Sequence, residues 1–424
     1  MPTLLRLYLG FALCGLSATL WLPALPMLQQ RLSLSHAALG LSVGGRALAG
    51  LVAAVAYALW LRRGGRACPD AILAGCLAGL IAALGWCSSA ATLVGVLLAI
   101  GVVLALLGAN INLAATAAER RSIGAVLGRC NAVYGMGLAA GAALGGWLLE
   151  RCGTVRPALL LNGLGVTALA IGLHQRRTPA HLPQPPQESE NTAGPELQTP
   201  SPRAAPLATG TLLWLAAAAA IAESSIGAWG PAWWLKRAPA MPDGVGYPMT
   251  AFSLGLTLGR AQCDRWATRW AMPTVLRAGM LLAALATTAA LLSPQAQPAL
   301  LGLGLAGVGL AAVSPYVMRL VQQGRLPDSA RARACWVVAA FHAGSFTGPW
   351  LSGIVVQHWG AGAALAVAGG TLAQSTLLLL VARRITSWRA SSPDTRSGRC
   401  TSPSSPRCCH RCCCSDPASR SSAR

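Results

Sequence analysis

The sequence predicts an all-α membrane protein with twelve transmembrane helices in two pseudo-symmetric six-helix bundles. Composition is the first ground: of 424 residues, 54% are hydrophobic and only 11% charged, at a mean hydropathy of +0.52. Soluble domains carry about 25% charged residues. The second ground is a stretch rich in Pro, Gln, Ser and Glu over residues 175–207, which is too polar and too Pro-broken to bury a core. It reads as a cytoplasmic linker between residues 1–174 and 208–384, each an apolar block of similar length. The third is that each block divides into six apolar runs, and about 20 apolar residues suffice for a helix to cross a bilayer.

In chain order, the first block places spans near 4–26, 37–61, 70–90, 92–115, 129–149 and 156–174. The second places them near 208–234, 248–264, 274–293, 297–320, 334–356 and 363–382. The first run is longer than a signal-peptide core and has no small-residue cleavage site behind it, so it is expected to stay as the first span.

A net charge of +21 invites a nucleic-acid reading, but the positions of the arginines exclude it. They gather in alternate loops: Arg62, Arg63 and Arg66; Arg120, Arg121 and Arg129; Arg176, Arg177 and Arg203; Arg265 and Arg269; Arg325, Arg331 and Arg333. The intervening loops hold few basic residues. This asymmetry places both termini and the linker on the cytoplasmic side of an inner membrane. Cysteines within and beside the spans, such as Cys14, Cys130 and Cys263, behave as small apolar residues and imply no disulfide framework.

Residues 385–424 form a tail of Ser, Pro, Arg and Cys. Cys408, Cys409, His410, Cys412, Cys413 and Cys414 carry zinc-ligand atoms but lack the paired spacing that lets four ligands surround one ion. The tail reads as disordered or frameshifted sequence, and neither metal nor cofactor is expected.

The loop after the second span runs Ala58 to Arg66 (ALWLRRGGR), and its counterpart in the second block contains Arg260, Asp264, Arg265 and Arg269. These loops resemble the G-x-x-x-D-R-x-G-R signature of the major facilitator superfamily. The first copy keeps Arg63, Gly65 and Arg66 but has Ala58 and Arg62 in place of Gly and Asp; the second keeps Asp264 and Arg265. The fifth span carries Gly137, Gly141, Ala142 and Gly145, and the eleventh carries Gly344, Gly348, Pro349 and Gly353. The offsets 348 − 141 = 207 and 265 − 63 = 202 are close, which indicates a duplicated unit. Glycines four residues apart also let helix backbones approach closely.

The resemblance implies the fold of that superfamily, transport by alternating access, and gating contacts from Arg62, Arg63, Gly65, Arg66, Asp264 and Arg265. In detail the chain looks most like bacterial inner-membrane members whose substrates are unassigned, through Asn110-Ile-Asn112 and Glu223…Trp229, with Ala228 where an Asp is expected. The fifth-span glycines resemble the motif of proton-coupled drug antiporters, with Ala142 in place of its Pro. Helix packing accounts for them equally.

Charge within a bilayer is costly and marks function. Among the acidic residues, only Glu223 falls well inside an expected span, which makes it the candidate proton carrier. Arg46, in the middle of the second span, is a candidate contact for an anionic group. Asn110, Asn112, Asn131, Tyr134, Trp229, Tyr316 and His342 complete the expected substrate cavity. Gly137, Gly141, Gly145, Gly348 and Pro349 are expected to pack helices. Trp233 and Trp234 are expected in an interfacial belt.

No phosphate-binding G-x-x-x-x-G-K-[ST] loop or catalytic constellation stands out, so neither ATP-driven transport nor an enzyme is expected. The expected function is secondary transport of a small molecule in exchange for protons, as export, by a monomer in the lipid bilayer. Proton-coupled uptake of a sugar or organic acid is the alternative. A sensor with a transporter fold is the non-transport reading.

Overall fold

A computed structural model describes residues 2–119, 126–175, 209–322 and 330–391. The linker from 176 onward and the cysteine-rich tail lie outside the described residues. One compact body comprises Met1–Arg383; of the remaining unit, Arg384–Arg424, the described part is helical.

Every regular element among the described residues is helical. The first block folds as α1 (Pro2–Thr19), α2 (Leu25–Arg31), α3 (His36–Arg62), α4 (Asp70–Ala83), α5 (Ala90–Glu119), α6 (Val126–Cys152) and α7 (Val155–Gln175). The second folds as α8 (Thr209–Arg237), α9 (Tyr247–Arg269), α10 (Met272–Leu292), α11 (Ala296–Leu310), α12 (Val313–Gln322), α13 (Ala330–Trp359) and α14 (Ala363–Ser391).

The helices begin and end for local reasons. Ser35 caps α3, its hydroxyl accepting from the Ala38 amide at 3.1 Å. Gly153 closes α6 at φ +64 and Gly360 closes α13 at φ +82, in the left-handed region that suits glycine. Each donates its amide four residues back, to Leu149 and Val356 respectively. These two turns are 360 − 153 = 207 residues apart, the spacing already found between the glycine motifs.

Expected and observed elements differ at three places. The first run continues to Arg31, broken near Trp21–Ala24, where Pro23 enters a 3-10 turn. The run at 70–90 is shorter: α4 ends at Ala83 and a 3-10 turn carries the chain to Trp86. The run at 297–320 is two helices, with the break at Ala311–Ala312.

Among the described residues, eight helical stretches are long and apolar enough to cross a membrane. The expected spans outside that set contain α4, α7, α9 and α13. Two of these, Asp70–Trp86 and Val155–Ile171, are apolar but short. In α9 the apolar character is diluted by Arg260, Gln262, Asp264, Arg265 and Arg269. The outer surface carries what a bilayer would cover: Leu258, Leu285, Leu292, Leu301 and Leu377 are each more than half exposed.

Packing repeats between the blocks. In the first, α1 lies on α6, α3 on α5, and α4 on α7. In the second, α8 lies on α13 and α9 on α11, which repeat the first two pairs; the third contact differs, with α10 on α11. Glycines set these contacts. A Cβ at Gly137, Gly141 or Gly145 would meet the α1 backbone at Ala12, Leu16 or Leu20. Gly344 and Gly348 sit likewise against Ala217 and Ile221 of α8.

Gly145→Ala should therefore lower the midpoint of thermal unfolding in detergent. Gly79, with open space where a Cβ would stand, should gain about 0.5–1 kcal/mol on replacement by Ala.

Candidate functional site

The two blocks meet along α3–α13 and α6–α9. From the start of α3, a Cβ at Gly40 would meet the Pro349 carbonyl, and one at Gly44 the Phe346 carbonyl. One turn further, His342 Nδ1 lies 3.0 Å from the Ala47 carbonyl oxygen and donates to it. On the other seam, Gly246 presses on Ala142, the Thr250 hydroxyl donates to the Ala139 carbonyl at 3.3 Å, and Gly135 faces Thr257. Both seams lie toward the end of the molecule where α3 and α9 start. Toward the end where α3 finishes, Val52, Val55, Leu59 and Trp60 are exposed.

Charged side chains collect beside these seams. Tyr134 on α6 lies within electrostatic reach of Glu223 on α8, Arg260 on α9 and Arg46 on α3. All four residues are half-buried. Glu223 faces the charge of Arg260, yet the two form no contact ion pair: the salt bridges among the described residues are Arg6–Asp70 and Arg319–Asp264. The Arg46 guanidinium lies 5.6 Å from the centre of the Trp21 ring and within electrostatic reach of His342. Helix geometry makes this gathering possible, because each charge sits in mid-helix and the small residues around it let four helices approach.

A model described as Major Facilitator Superfamily matches residues 7–239, more than half the chain. The chain belongs to the major facilitator superfamily. Among solved structures it resembles a bacterial homolog to the human lysosomal transporter Spinster, in an inward-facing and occupied conformation. That match has 16% identity over 91% of this chain and 94% of the other, with a TM-score of 0.61. It also resembles the nucleoside transporter NupG, at 14% identity over 91% of this chain and 100% of the other, with a TM-score of 0.64. Identities this low establish a shared fold. No curated protein matches the sequence.

Within this superfamily member, sequence-expected residues divide by location. Glu223, Arg46 and Tyr134 come together, His342 stands beside Arg46, and Asn131 lies half-buried one turn before Tyr134. Asn110 is elsewhere: its Oδ1 accepts from the Tyr57 hydroxyl at 2.8 Å, and its Nδ2 donates to the Cys68 carbonyl at 2.8 Å and to Asp70 at 2.9 Å. Asn112 is exposed and donates to the Gly108 carbonyl one turn back. Tyr316 is fully enclosed, its hydroxyl committed to the Cys263 carbonyl. Trp229 lies at the seam, its ring tilted 35° against that of His36 at a centroid distance of 5.7 Å, and it donates to the Pro349 carbonyl at 3.2 Å. Trp233 and Trp234 are buried rather than interfacial: the turn before α9 lies against Trp234, which donates to the Met241 carbonyl, and the turn before α14 brings Gly362 beside Trp233.

The loop residues are likewise held within their own blocks. Arg62, Arg63 and Arg66 are exposed, and Gly65 sits against the Trp60 indole. Asp264 pairs with Arg319 of α12 at 3.3 Å, and Arg265 donates to Gln262. No ion pair among the described residues joins the two blocks. The acid that ties the first block is Asp70, joined to Arg6 at 3.4 Å and to Asn110.

Sequence reasoning missed three participants. Arg260 was legible only as part of the loop motif, although it falls inside the expected span 248–264. Trp21 and Asp70 gave no signal, since neither lies in a motif. Among the described residues no group of three or more His, Cys, Asp or Glu side chains stands close enough to hold a metal ion. An apolar groove of about 410 Å³ between α3 and α5, lined by Gly45, Leu48, Val52 and Leu98, lies apart from the charge cluster.

Asp70→Ala leaves Arg6 and Asn110 each short of a partner, at about 1 kcal/mol per lost hydrogen bond. The melting temperature should fall measurably. Asp264→Ala breaks an exposed pair and should leave it nearly unchanged.

Proposed function

We propose that this chain is a secondary transporter that carries a small organic solute across the inner membrane by alternating access, with proton-coupled uptake as its direction. On this reading the two blocks, 1–174 and 208–384, are two bundles of six spans each related by a pseudo-two-fold axis, with the site between them. Of the four spans outside the set of eight apolar stretches, those built on α9 and α13 are the more polar and lie at the inter-block seams, while those built on α4 and α7 are short and pack on each other.

The observation that carries the proposal is the placement of Glu223, Arg260, Tyr134 and Arg46 beside both inter-block seams. A rocking transporter opens one end of such a seam at a time, and on this reading the arginine-rich loops put the end where α3 finishes in the cytoplasm. Glu223 would then exchange its proton with the cytoplasm while Arg260 stabilises its ionised form.

Uptake replaces the export expected from the sequence. The likeness to a nucleoside transporter favours it. The glycines that suggested an antiporter motif are occupied in packing α6 onto α1. A non-transporting sensor is the reading this proposal competes with.

Proteoliposomes with a pH-sensitive dye inside and a solute panel outside test it. Wild type should move protons inward only when a solute is offered. Glu223→Gln should reduce that proton movement by an order of magnitude while leaving solute exchange in place. Silence across the panel, from protein shown to be folded, would sink the transport reading in favour of the sensor.

A further inference from the structure

The charges at the centre do not balance. Two guanidinium groups, Arg46 and Arg260, share the region with one carboxylate, Glu223. Glu223 lies against the field of Arg260. The electrostatic neighbours of Arg46 are Tyr134 and His342, neither of them an acid. Arg46 takes part in neither salt bridge among the described residues. Its Nε is buried without a hydrogen-bond partner, and so is the nearby Trp21 Nε1. Both atoms are donors.

A buried guanidinium nitrogen left without an acceptor is costly. The Trp21 ring beneath the guanidinium, at 5.6 Å, offsets part of that cost. It supplies no hydrogen-bond acceptor. What the place lacks is an anion, and the described residues around it provide none: on α13 the facing group is His342, whose Nδ1 proton is already given to Ala47, and on α6 it is Tyr134.

We propose that the transported solute carries a single negative charge, a monocarboxylate or an equivalent oxyanion, and that Arg46 is its anchor. The inference rests on the transport reading above. With His342 neutral, the empty site holds one net positive charge, two arginines against one glutamate. A monoanion bound at Arg46 together with a proton on Glu223 restores that same charge. The empty and fully loaded sites then cross the membrane field equally, whereas either half-loaded site differs by a full charge. A dianion, or a neutral solute with one proton, breaks this equality. Single negative charge is thus the solute class for which one proton per solute gives electrically silent uptake.

The experiment compares matched acids and neutral analogues on the full-length protein in proteoliposomes: lactate and lactamide, gluconate and glucose, benzoate and benzamide, with succinate as the dianion and uridine as a neutral nucleoside. Protein-free vesicles measure passive leak. Each probe is also tested for raising the melting temperature of the detergent-solubilised protein. The expected result is that monocarboxylates alone stabilise the protein and accumulate under an inward proton gradient, with no response to an imposed membrane potential. Arg46→Gln should weaken both effects by at least an order of magnitude, and Arg46→Lys, which keeps the charge but loses the planar fork, should retain a measurable part.

Size-exclusion profiles matching wild type establish that both variants fold. Should Arg46→Gln misfold, the acid-versus-neutral comparison on wild type decides alone. Accumulation of uridine, glucose or an amide in preference to its acid overturns the inference while leaving the transporter intact. Wild-type behaviour of a folded Arg46→Gln overturns it too. Silence with every probe, acid and neutral alike, counts against transport itself.

Discussion

Close backbone approach at small residues is the constraint on which the rest of this structure depends. Apolar side chains give helices in lipid no hydrophobic reason to associate, so contact has to come from packing and from hydrogen bonds. Here it comes from glycines that admit a neighbouring carbonyl where any side chain would collide. Gly137, Gly141 and Gly145 seat α6 on α1, while Gly344 and Gly348 seat α13 on α8. Gly40, Gly44 and Gly246 form the seams between the two blocks. A seam of small residues is smooth, and smooth surfaces can part and rejoin without unpacking large side chains.

Polar residues serve two different purposes around this frame. At the far end of α3, Tyr57, Cys68, Asp70, Asn110 and Arg6 satisfy one another in a closed network. That network fastens α1, α4 and α5 together and leaves little polar capacity over. Near the seams the opposite holds: Arg46 and Glu223 have neighbours of suitable charge or shape but no contact ion pair. Groups satisfied within the protein hold it together, and groups left short of partners are free to meet a ligand. That contrast separates Asn110 from Arg46, although both began as candidates for the same cavity.

The glycine spacing was legible in the sequence. The 207-residue offset of the glycine motifs recurs between two of the positive-φ glycine turns, at Gly153 and Gly360, where a residue without a Cβ adopts the backbone angle easily. Apolar run length located the helices for the same elementary reason. It located the span at 297–320, matched by the stretch Ala296–Val321, but not the break at Ala311–Ala312 within it, since hydropathy is blind to where one helix stops and the next begins. The buried pair Trp233 and Trp234 was misplaced because tryptophan suits both an interface and a core; the turns that enclose them, over residues 242–246 beside Trp234 and at Gly362 beside Trp233, are tertiary facts.

Composition and periodicity by themselves determined the all-helical class, the existence of many apolar helices and the rarity of charge within them. Those properties depend on each residue's own transfer free energy and on its near neighbours in sequence, so one chain read linearly suffices. Tertiary structure alone decided which charges meet. Arg46, Tyr134, Glu223 and Arg260 come from four helices and are separated by up to 260 − 46 = 214 positions. Whether an arginine finds an acid or faces an open place depends on the rotation of each helix about its axis. That rotation is set by the glycine contacts between helices, and a linear pattern does not record it.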